Sequence, residues 1–313
     1  MRICLHRTLA RASYHGAVAS VFALFGPTGV GKTEVAIALA ARLRARGERP
    51  VAVSADALQV YEGLEVLTGV AAAHEQETLE HRLVSFLPVD RTFSVGEYAA
   101  HAHREIDGLL AEGATPIVVG GTGLYLRAAL ATLDLKPAPP PEVRERWMRV
   151  LEQEGLERTH ARLAAVAPAI AASIDPRDRH RVVRALELHE LGALDDAPPE
   201  ENRLWTSETR HPTRLLALVM EREALYRRIE ARVDAMVAAG AIDEVRRAHA
   251  AGASPTARKA LGFDELLRGD VEAMKRRTRQ YAKRQLTWLR KLPGCEVLDV
   301  TGRGAGDVAR DVV

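Results

Sequence analysis

A glycine-rich loop near the start of the chain constrains the fold more than any other feature. Residues 21–33 read VFALFGPTGVGKT, an apolar run followed by the P-loop pattern Gly26-x-x-x-x-Gly31-Lys32-Thr33. In this pattern backbone N–H groups converge on a phosphate, the lysine adds positive charge and the threonine hydroxyl can ligate Mg²⁺. The residues expected to bind a di- or triphosphate are Gly26, Pro27, Thr28, Gly29, Val30, Gly31, Lys32 and Thr33, with Thr33 as the metal ligand.

Two later apolar runs end in residues that suit a ligand crevice. Residues 51–54 lead into Asp56, and residues 116–120 lead into Gly121-Thr122. In an open α/β sheet the ligand lies at the carboxyl ends of the strands. Asp56 is either a helix N-cap or a carboxylate aimed at the substrate, and its position alone does not decide between them. P-loop NTPases commonly close such a strand with an aspartate that holds Mg²⁺, so the Gly-Gly-Thr ending favours phosphate binding without ordinary NTP hydrolysis.

Composition narrows the class of protein. The net charge of +2 over 313 residues means that any nucleic-acid binding must come from local basic patches. Cys4 and Cys295 are the only cysteines, which indicates a reducing, cytoplasmic location without a disulfide framework. No apolar run reaches the length of a membrane span, so we expect no membrane partner. Residues 1–20 lack acidic side chains and are expected to form a disordered N-terminal extension.

A helical region interrupts the α/β pattern. The proline-rich stretch 136–141 is followed by helical periodicity, including a helix predicted to start at Asp175 with Arg177, Arg181 and Arg184 in a stripe. Such a stripe either follows a nucleic-acid backbone or is a solvated face. The sequence thus predicts a P-loop NTPase-like parallel sheet core with an inserted all-helical domain. The predicted segments are 21–135 and 204–301 for the core, 136–203 for the insertion and 302–313 for a C-terminal tail.

Eight stretches of the chain, in their order and spacing, resemble the tRNA dimethylallyltransferases, also called tRNA isopentenyltransferases. Each stretch alone is a weak to moderate signal, but the set extends over nearly all of the chain after residue 20. The stretches are GPTGVGKT (26–33), DALQVY (56–61), VGGTGLY (119–125), PEVR (141–144), DPRDRHRVVRALE (175–187), REALYRRIEARVDAM (222–236), KALGFDEL (259–266) and YAKRQLTWLRK (281–291).

The resemblance implies a reaction. In this family the P-loop holds dimethylallyl diphosphate with Mg²⁺, and the dimethylallyl group is transferred to N6 of the adenosine immediately 3′ of the anticodon in tRNA. The resemblance implies that Asp56 is the general base, that Thr122 is also catalytic, and that Arg222 stabilises the leaving diphosphate. The positions similar to the family's tRNA contacts are Asp56, Ala57, Leu58, Gln59, Thr122, Arg144, His180, Arg181, Val182, Val183 and Arg184.

The insertion would then grip the anticodon stem-loop, with the target base flipped into a channel. We expect a monomer, because nothing in the sequence indicates an extended interface. The chain departs from the family pattern at Ala57, where serine is common, at residues 68–73, where a lysine is missing, and at Arg82, where histidine is common. Three alternatives stay open: a P-loop kinase of a small metabolite, a non-catalytic RNA-binding protein, and a transferase acting on free adenine nucleotides.

Overall fold

The computed structural model describes residues 20–136, 138–194, 204 and 206–313. The strands are β1 Val21–Phe25, β2 Arg49–Ser54, β3 His81–Arg82, β4 Ala114–Gly120, β5 Thr213–Val219 and β6 Glu296–Asp299. The helices are α1 Lys32–Ala45, α2 Glu65–Thr68, α3 Ala73–Thr78, α4 Val95–Ala111, α5 Gly123–Leu130, α6 Pro141–Val166, α7 Pro168–Ser173, α8 Arg179–Glu190, α9 Arg222–Ala238, α10 Ala241–Ala250, α11 Phe263–Leu267, α12 Val271–Leu289 and α13 Ala305–Val312.

The strands form one six-stranded sheet in the order β3-β2-β4-β1-β5-β6. Every neighbouring pair is parallel; for example, Ala23 of β1 is in register with Val118 of β4 and Leu215 of β5. Residues of β1 and most residues of β2 are buried, as expected where helices cover both faces of a parallel sheet. The predicted α/β class with a P-loop core is confirmed.

The strand order positions the site. Because β1, β2 and β4 are parallel and adjacent, the segments that follow their carboxyl ends meet at one edge of the sheet. These segments are the P-loop, the turn at Asp56 and the Gly121-Thr122 loop. Two apolar clusters, one containing Phe25 and Val118 and the other Leu24 and Leu39, hold this edge in place.

The inserted helices have a small core of their own. Leu163 of α6 packs with Val182 and Leu186 of α8, and each is at most 1 % exposed. Helix α8 starts later than predicted: Asp178 is its N-cap and accepts a hydrogen bond from the Arg181 N–H at 3.1 Å. Asp175 instead accepts from the Arg177 N–H at 2.9 Å, so it closes the turn before the helix.

The predicted C-terminal tail contains a packed helix. Val308, Ala309 and Val312 of α13 are buried in the same apolar cluster as Leu39 of α1. Arg42 of α1 donates a hydrogen bond of 2.8 Å to the carbonyl of the last residue. Burial of this amphipathic face explains why residues 302–313 are ordered on the core rather than extended from it.

Some expectations lie outside the described residues. These are the disorder expected for the N-terminal extension, of which only Ser20 is described, and the structure of residues 137 and 195–203 of the insertion. Among the helices of the described residues, none combines the length and the apolar character that crossing a bilayer requires.

Candidate functional site

A cavity of about 720 Å³ opens at the carboxyl edge of the sheet. Its walls come from the P-loop, the turn after β2, the segment 65–72 and helices α9 and α12. The volume is within the usual range of small-molecule sites. The cavity therefore lies where the strand order and the P-loop both predict a ligand.

The P-loop has the backbone that an anion site requires. Gly29 and Gly31 have φ values of 80° and 101°, a left-handed conformation that favours glycine. The Lys32 ammonium donates to the carbonyls of Gly26 and Pro27 at 2.9 and 3.0 Å, so the side chain folds over its own loop. The first N–H groups of α1 have no partner within the helix and are suited to phosphate oxygens.

The environment of Lys32 disfavours its charged form. Burial, and after it the charge of the nearby Arg232 guanidinium, lowers the pKa of Lys32 to about 8. Asp56 and Glu34 act in the opposite direction but do not cancel these effects. Lys32 is half-buried and lies near the exposed Arg232, and both line the cavity. Two cations close together favour an anionic ligand, because its charge would offset their mutual repulsion.

The structure separates the predicted P-loop residues into two groups. Val30 is 2 % exposed and packs in the apolar cluster beneath the loop, and Gly26 and Pro27 are also buried. These three residues shape the loop rather than face a ligand. Those that line the cavity are Thr28, Gly29, Gly31, Lys32 and Thr33.

Asp56 and Thr122 line the same cavity. The Asp56 carboxylate accepts a hydrogen bond from the Leu58 N–H at 2.9 Å, so it fixes the local turn while it faces the cavity. The Thr122 hydroxyl shares a hydrogen bond of 3.0 Å with the hydroxyl of Tyr281 on α12. Burial, reinforced by the charge of Asp56, raises the pKa of Tyr281 to about 12, so this phenol is neutral.

Arg222 is not brought to the cavity. It is the first residue of α9, is exposed and lies outside the cavity lining. Arg228 and Arg232, further along the same helix, line the cavity instead. The Arg228 Nε donates to the Gly29 carbonyl at 2.9 Å. Their neighbours Ile229 and Val233 are buried, so the 3.6-residue periodicity of α9 was the signal that could have selected them.

Side-chain hydrogen bonds fix the segment that follows β2, which contains departures from the family pattern at Ala57 and from residue 68 onward. The Gln59 amide accepts from the Ser54 hydroxyl at 2.8 Å and donates to the Gly69 carbonyl at 3.0 Å. The buried Glu244 carboxylate accepts from the N–H groups of Val66 and Leu67 at 2.9 and 2.7 Å. This contact caps α2 from a different helix. Ala57, Leu58 and Gln59, all predicted site residues, line the cavity beside it.

The predicted RNA-contact segment on α8 has two faces. His180 and Arg181 are exposed, whereas Val182 and Val183 are 0 % and 2 % exposed and form part of the interior. The inclusion of Val182 and Val183 among the contact residues is therefore corrected. A helix turns about 100° per residue, so a contiguous stretch cannot present all of its side chains to one partner.

A buried carboxylate holds two of the predicted guanidinium groups. Glu187 has 0 % exposure, and its oxygens lie 3.1 Å from Arg144 and 3.4 Å from Arg184. Lys259, which lines the cavity, has its pKa lowered by burial and then by the charge of Arg144. Arg144 therefore lies at the junction between the insertion and the cavity.

Basic residues of α12 form ion pairs within the protein. Arg277 pairs with Glu265 at 2.7 Å, and Lys275 pairs with Asp234 at 2.7 Å. Arg277 and Arg284 both line the cavity, and Arg284 lies over the ring of Tyr281. The basic residues of α12 thus serve both internal ion pairs and the wall of the cavity.

Thr33 is the one predicted metal ligand, and its hydroxyl lines the cavity. In the parts of the chain that the structure describes, no three His, Cys, Asp or Glu side chains cluster in a way that could hold a metal. Mg²⁺ often binds through one or two protein oxygens with substrate phosphates and water. The residues present fit that kind of metal site, in which the ligand brings most of the oxygens.

Comparisons with known proteins agree with this geometry. The family model described as IPP transferase matches residues 59–292. A tRNA dimethylallyltransferase of Geobacillus kaustophilus is 37 % identical over 295 residues, which cover 91 % of either chain. A tRNA dimethylallyltransferase of Symbiobacterium thermophilum is 38 % identical and covers 93 % of this chain and 92 % of its own.

Solved structures are similar as well. The full-length tRNA isopentenylpyrophosphate transferase of Bacillus halodurans superposes with a TM-score of 0.66 at 30 % identity, covering 93 % of each chain. A eukaryotic dimethylallyltransferase, described as acting on tRNA, superposes with a TM-score of 0.72 at 25 % identity. That match covers 90 % of this chain and 74 % of the eukaryotic one.

Proposed function

This chain belongs to the IPP transferase family, and on that premise we propose that it is a tRNA dimethylallyltransferase. It transfers the dimethylallyl group from dimethylallyl diphosphate to N6 of the adenosine immediately 3′ of the anticodon. The observation that carries the proposal is that the P-loop and the Asp56 carboxylate line one cavity. In such a cavity a diphosphate bound to the P-loop and the proton acceptor Asp56 can lie on either side of the reacting carbon.

In the reaction the bond between C1 and oxygen of dimethylallyl diphosphate breaks, a bond forms between C1 and N6, and N6 loses a proton. Asp56 accepts that proton, because the exocyclic amine is a poor nucleophile until its proton has an acceptor. The negative charge that develops on the diphosphate is stabilised by the P-loop N–H groups, Lys32 and Arg232. Their placement before the reaction is what makes this stabilisation effective.

Mg²⁺ is part of the proposal. Thr33 would hold it together with oxygens of the diphosphate, and when bound it neutralises charge on the leaving group. The protein's own residues orient the two phosphates. Arg228, which bonds the Gly29 carbonyl and pairs with Glu34, keeps the P-loop in position against α9.

The insertion supplies the grip on RNA. Arg144 and Arg184 are both held by the buried Glu187 of the insertion, and His180 and Arg181 are exposed on the same helix as Glu187. Guanidinium groups held in this way are suited to phosphate oxygens. A base flipped from the anticodon loop would then reach Asp56 and Thr122. Monomeric action in the cytoplasm is part of the same proposal.

The test uses purified protein, Mg²⁺, labelled dimethylallyl diphosphate and a synthetic anticodon stem-loop with adenosine 3′ of the anticodon. A matched stem-loop with guanosine at that position is the control. We expect label in the adenosine RNA alone, mapped to that nucleotide. A parallel assay with γ-labelled ATP and small acceptors tests the kinase alternative, which the family comparisons do not support. Phosphate transfer without RNA labelling would overturn the proposal.

A further inference from the structure

One face of α12 lies against both loops that line the two sides of the cavity. Tyr281, Gln285 and Trp288 follow one another at helical spacing on this face. Trp288 packs so closely on Gly123 that a Cβ atom there would overlap the indole ring. The helix thus contacts the loop after β4 through several side chains, and one of them extends to the P-loop as well.

Gln285 is the side chain that joins the two loops. It is 4 % exposed, and both ends of its amide are used. Its Oε1 accepts from the Thr28 N–H of the P-loop at 2.9 Å, and its Nε2 donates to the Gly121 carbonyl at 2.8 Å. These contacts join two neighbouring loops whose residues are far apart in the chain.

The bridge leaves no room for a side chain between the loops. A Cβ atom at Gly121 would overlap the Gln285 amide nitrogen and lie 3.1 Å from the Gly26 carbonyl. Both Thr28 and Gln285 line the cavity, and the Thr28 N–H is already hydrogen-bonded to Gln285. The position of the P-loop is therefore set before any phosphate reaches it.

The same helix also sets the other side of the cavity. Tyr281, one turn before Gln285, shares its hydrogen bond with Thr122, the residue that follows Gly121. α12 itself is braced by the ion pair between Arg279 and Glu230 of α9, at 2.5 Å. The loop that holds the donor and the loop that faces the acceptor are thus both attached to one braced helix.

We infer that Gln285 is a positioning residue that fixes the distance between the diphosphate-binding P-loop and the Thr122 loop, and so couples occupancy of one to the geometry of the other. The expected effect on kcat rests on the proposed function. The structural coupling between the two loops rests on the two hydrogen bonds of Gln285 alone. Small errors in the placement of reacting groups can lower a rate about 100-fold.

The first experiment does not require transferase activity. Inorganic pyrophosphate is bound to the full chain, and hydrogen exchange is followed in the segment 119–125. In the wild type we expect pyrophosphate to slow exchange in this segment as well as in the P-loop. In Gln285→Met, which keeps the side-chain length but loses both hydrogen bonds, we expect protection of the P-loop without protection of 119–125. Equal protection of both segments in the variant would overturn the inference.

The second experiment separates positioning from stability. Gln285→Met should lower kcat by about 10- to 100-fold while the Kd for pyrophosphate changes less than about threefold. Gln280→Met, an exposed glutamine on the same helix, is the matched control and should leave both unchanged. Parallel losses in kcat, pyrophosphate affinity and melting temperature would mean that Gln285 only supports the fold.

Two further variants keep the inference testable if Gln285→Met folds poorly. Gln285→Glu still accepts from the Thr28 N–H but cannot donate to Gly121 when ionised. Tyr281→Phe removes only the hydroxyl that contacts Thr122. Each should lower kcat more than it weakens pyrophosphate binding, and unchanged kcat in both would overturn the inference. If the wild type labels no RNA, the proposed function fails, whereas the hydrogen-exchange result still decides the coupling.

Discussion

The P-loop and the inserted helices are two regions suited to phosphate groups, and they are built in opposite ways. The P-loop side is preset: Lys32 bonds its own loop carbonyls, Gln285 accepts a hydrogen bond from the loop, and Arg228 ties it to α9. The insertion presents Arg181 on an exposed surface, 70 % accessible, and among the residues that the structure describes its ion-pair partner is its near neighbour Asp178. One region is a cavity suited to a small anion, and the other is a solvated surface suited to a large one.

This difference predicts how each region would bind phosphate groups. A preset, partly buried site gains from low dielectric and loses little entropy on binding, so single groups there have large effects. An exposed guanidinium is screened by salt and contributes modestly, so binding to RNA must be distributed over many contacts. Variants in the two regions should therefore differ in both size and kind of effect.

The largest expected effect is at Asp56, which lines the cavity together with the P-loop. Asp56→Asn keeps an oxygen that can accept from the Leu58 N–H, so the turn is preserved while the proton acceptor is lost. We expect kcat to fall by about 10²- to 10⁴-fold with RNA affinity unchanged, measured in single-turnover transfer and RNA binding. Asp90→Asn, an exposed loop residue, is the control. Full activity of Asp56→Asn would remove Asp56 from the mechanism.

The second prediction tests whether the regions are stabilised separately. Leu186→Ala removes a buried side chain from the insertion's small core and should destabilise α6–α8 by about 2–5 kcal/mol. Faster hydrogen exchange in these helices, with unchanged pyrophosphate affinity, is the expected result. Leu191→Ala, at an exposed position after α8, should have little effect. Equal loss of pyrophosphate binding in Leu186→Ala would mean that the insertion and the core unfold as one unit.

The third prediction concerns the pH dependence of the preset site. Lys32, with a pKa of about 8, is about nine-tenths charged at pH 7 and about one-tenth charged at pH 9. Pyrophosphate affinity should therefore fall about tenfold over this range, measured by calorimetry. In the ligand-free protein the sign is opposite. The folded-state pKa lies below the unfolded value of 10.5, so charging Lys32 opposes folding, and stability rises with pH between about 8 and 10.5.

Lys32→Arg is the matched variant for that measurement, because arginine keeps its charge throughout this pH range. The part of the pH dependence that belongs to Lys32 should be missing in this variant, while the ionisation of pyrophosphate itself contributes equally to both proteins. Identical pH profiles would show that Lys32 does not titrate in the site.

The smallest effect is expected on the exposed surface. Arg181→Ala should weaken RNA binding only a few-fold and reduce the slope of log affinity against log salt by about 0.7–0.9, the value for one phosphate contact. Arg104→Ala, an exposed arginine on α4, is the control. An unchanged salt slope in Arg181→Ala would show that Arg181 is a solvated surface residue without a phosphate contact.

Much of the core could be predicted from the sequence, because its signals are local. The P-loop pattern, the apolar strands and the N-cap of α12 at Asp270 each depend on a few adjacent residues. Asp56 was ambiguous for a physical reason, since its carboxylate both closes a turn and faces the cavity. Its contribution to the reaction stays a prediction, as do the RNA contacts of the insertion.

The errors arose where tertiary packing decides. Arg222, Arg228 and Arg232 share one motif, and only the rotation of α9 against the core selects the last two. Val182 and Val183 belong to a stretch that resembles an RNA contact, but the insertion's core needs their side chains. Gln285 lies in the stretch 281–291 that resembles the family, but its role could not be read there, because its two partners are brought to it by strands that are distant in the chain.

The strand order also bears on how the protein is made. β1, which carries the P-loop, pairs with β5, and the chain between them contains the entire insertion. On the ribosome, β1 therefore lacks one neighbour until the insertion and β5 have been synthesised, while α6–α8 already contain the residues of their own core. A nascent chain stalled before β5 would present helices suited to RNA without a finished phosphate site. Because α9 and α12, which follow β5, also form walls of the cavity, the cavity is complete only when most of the chain has been translated.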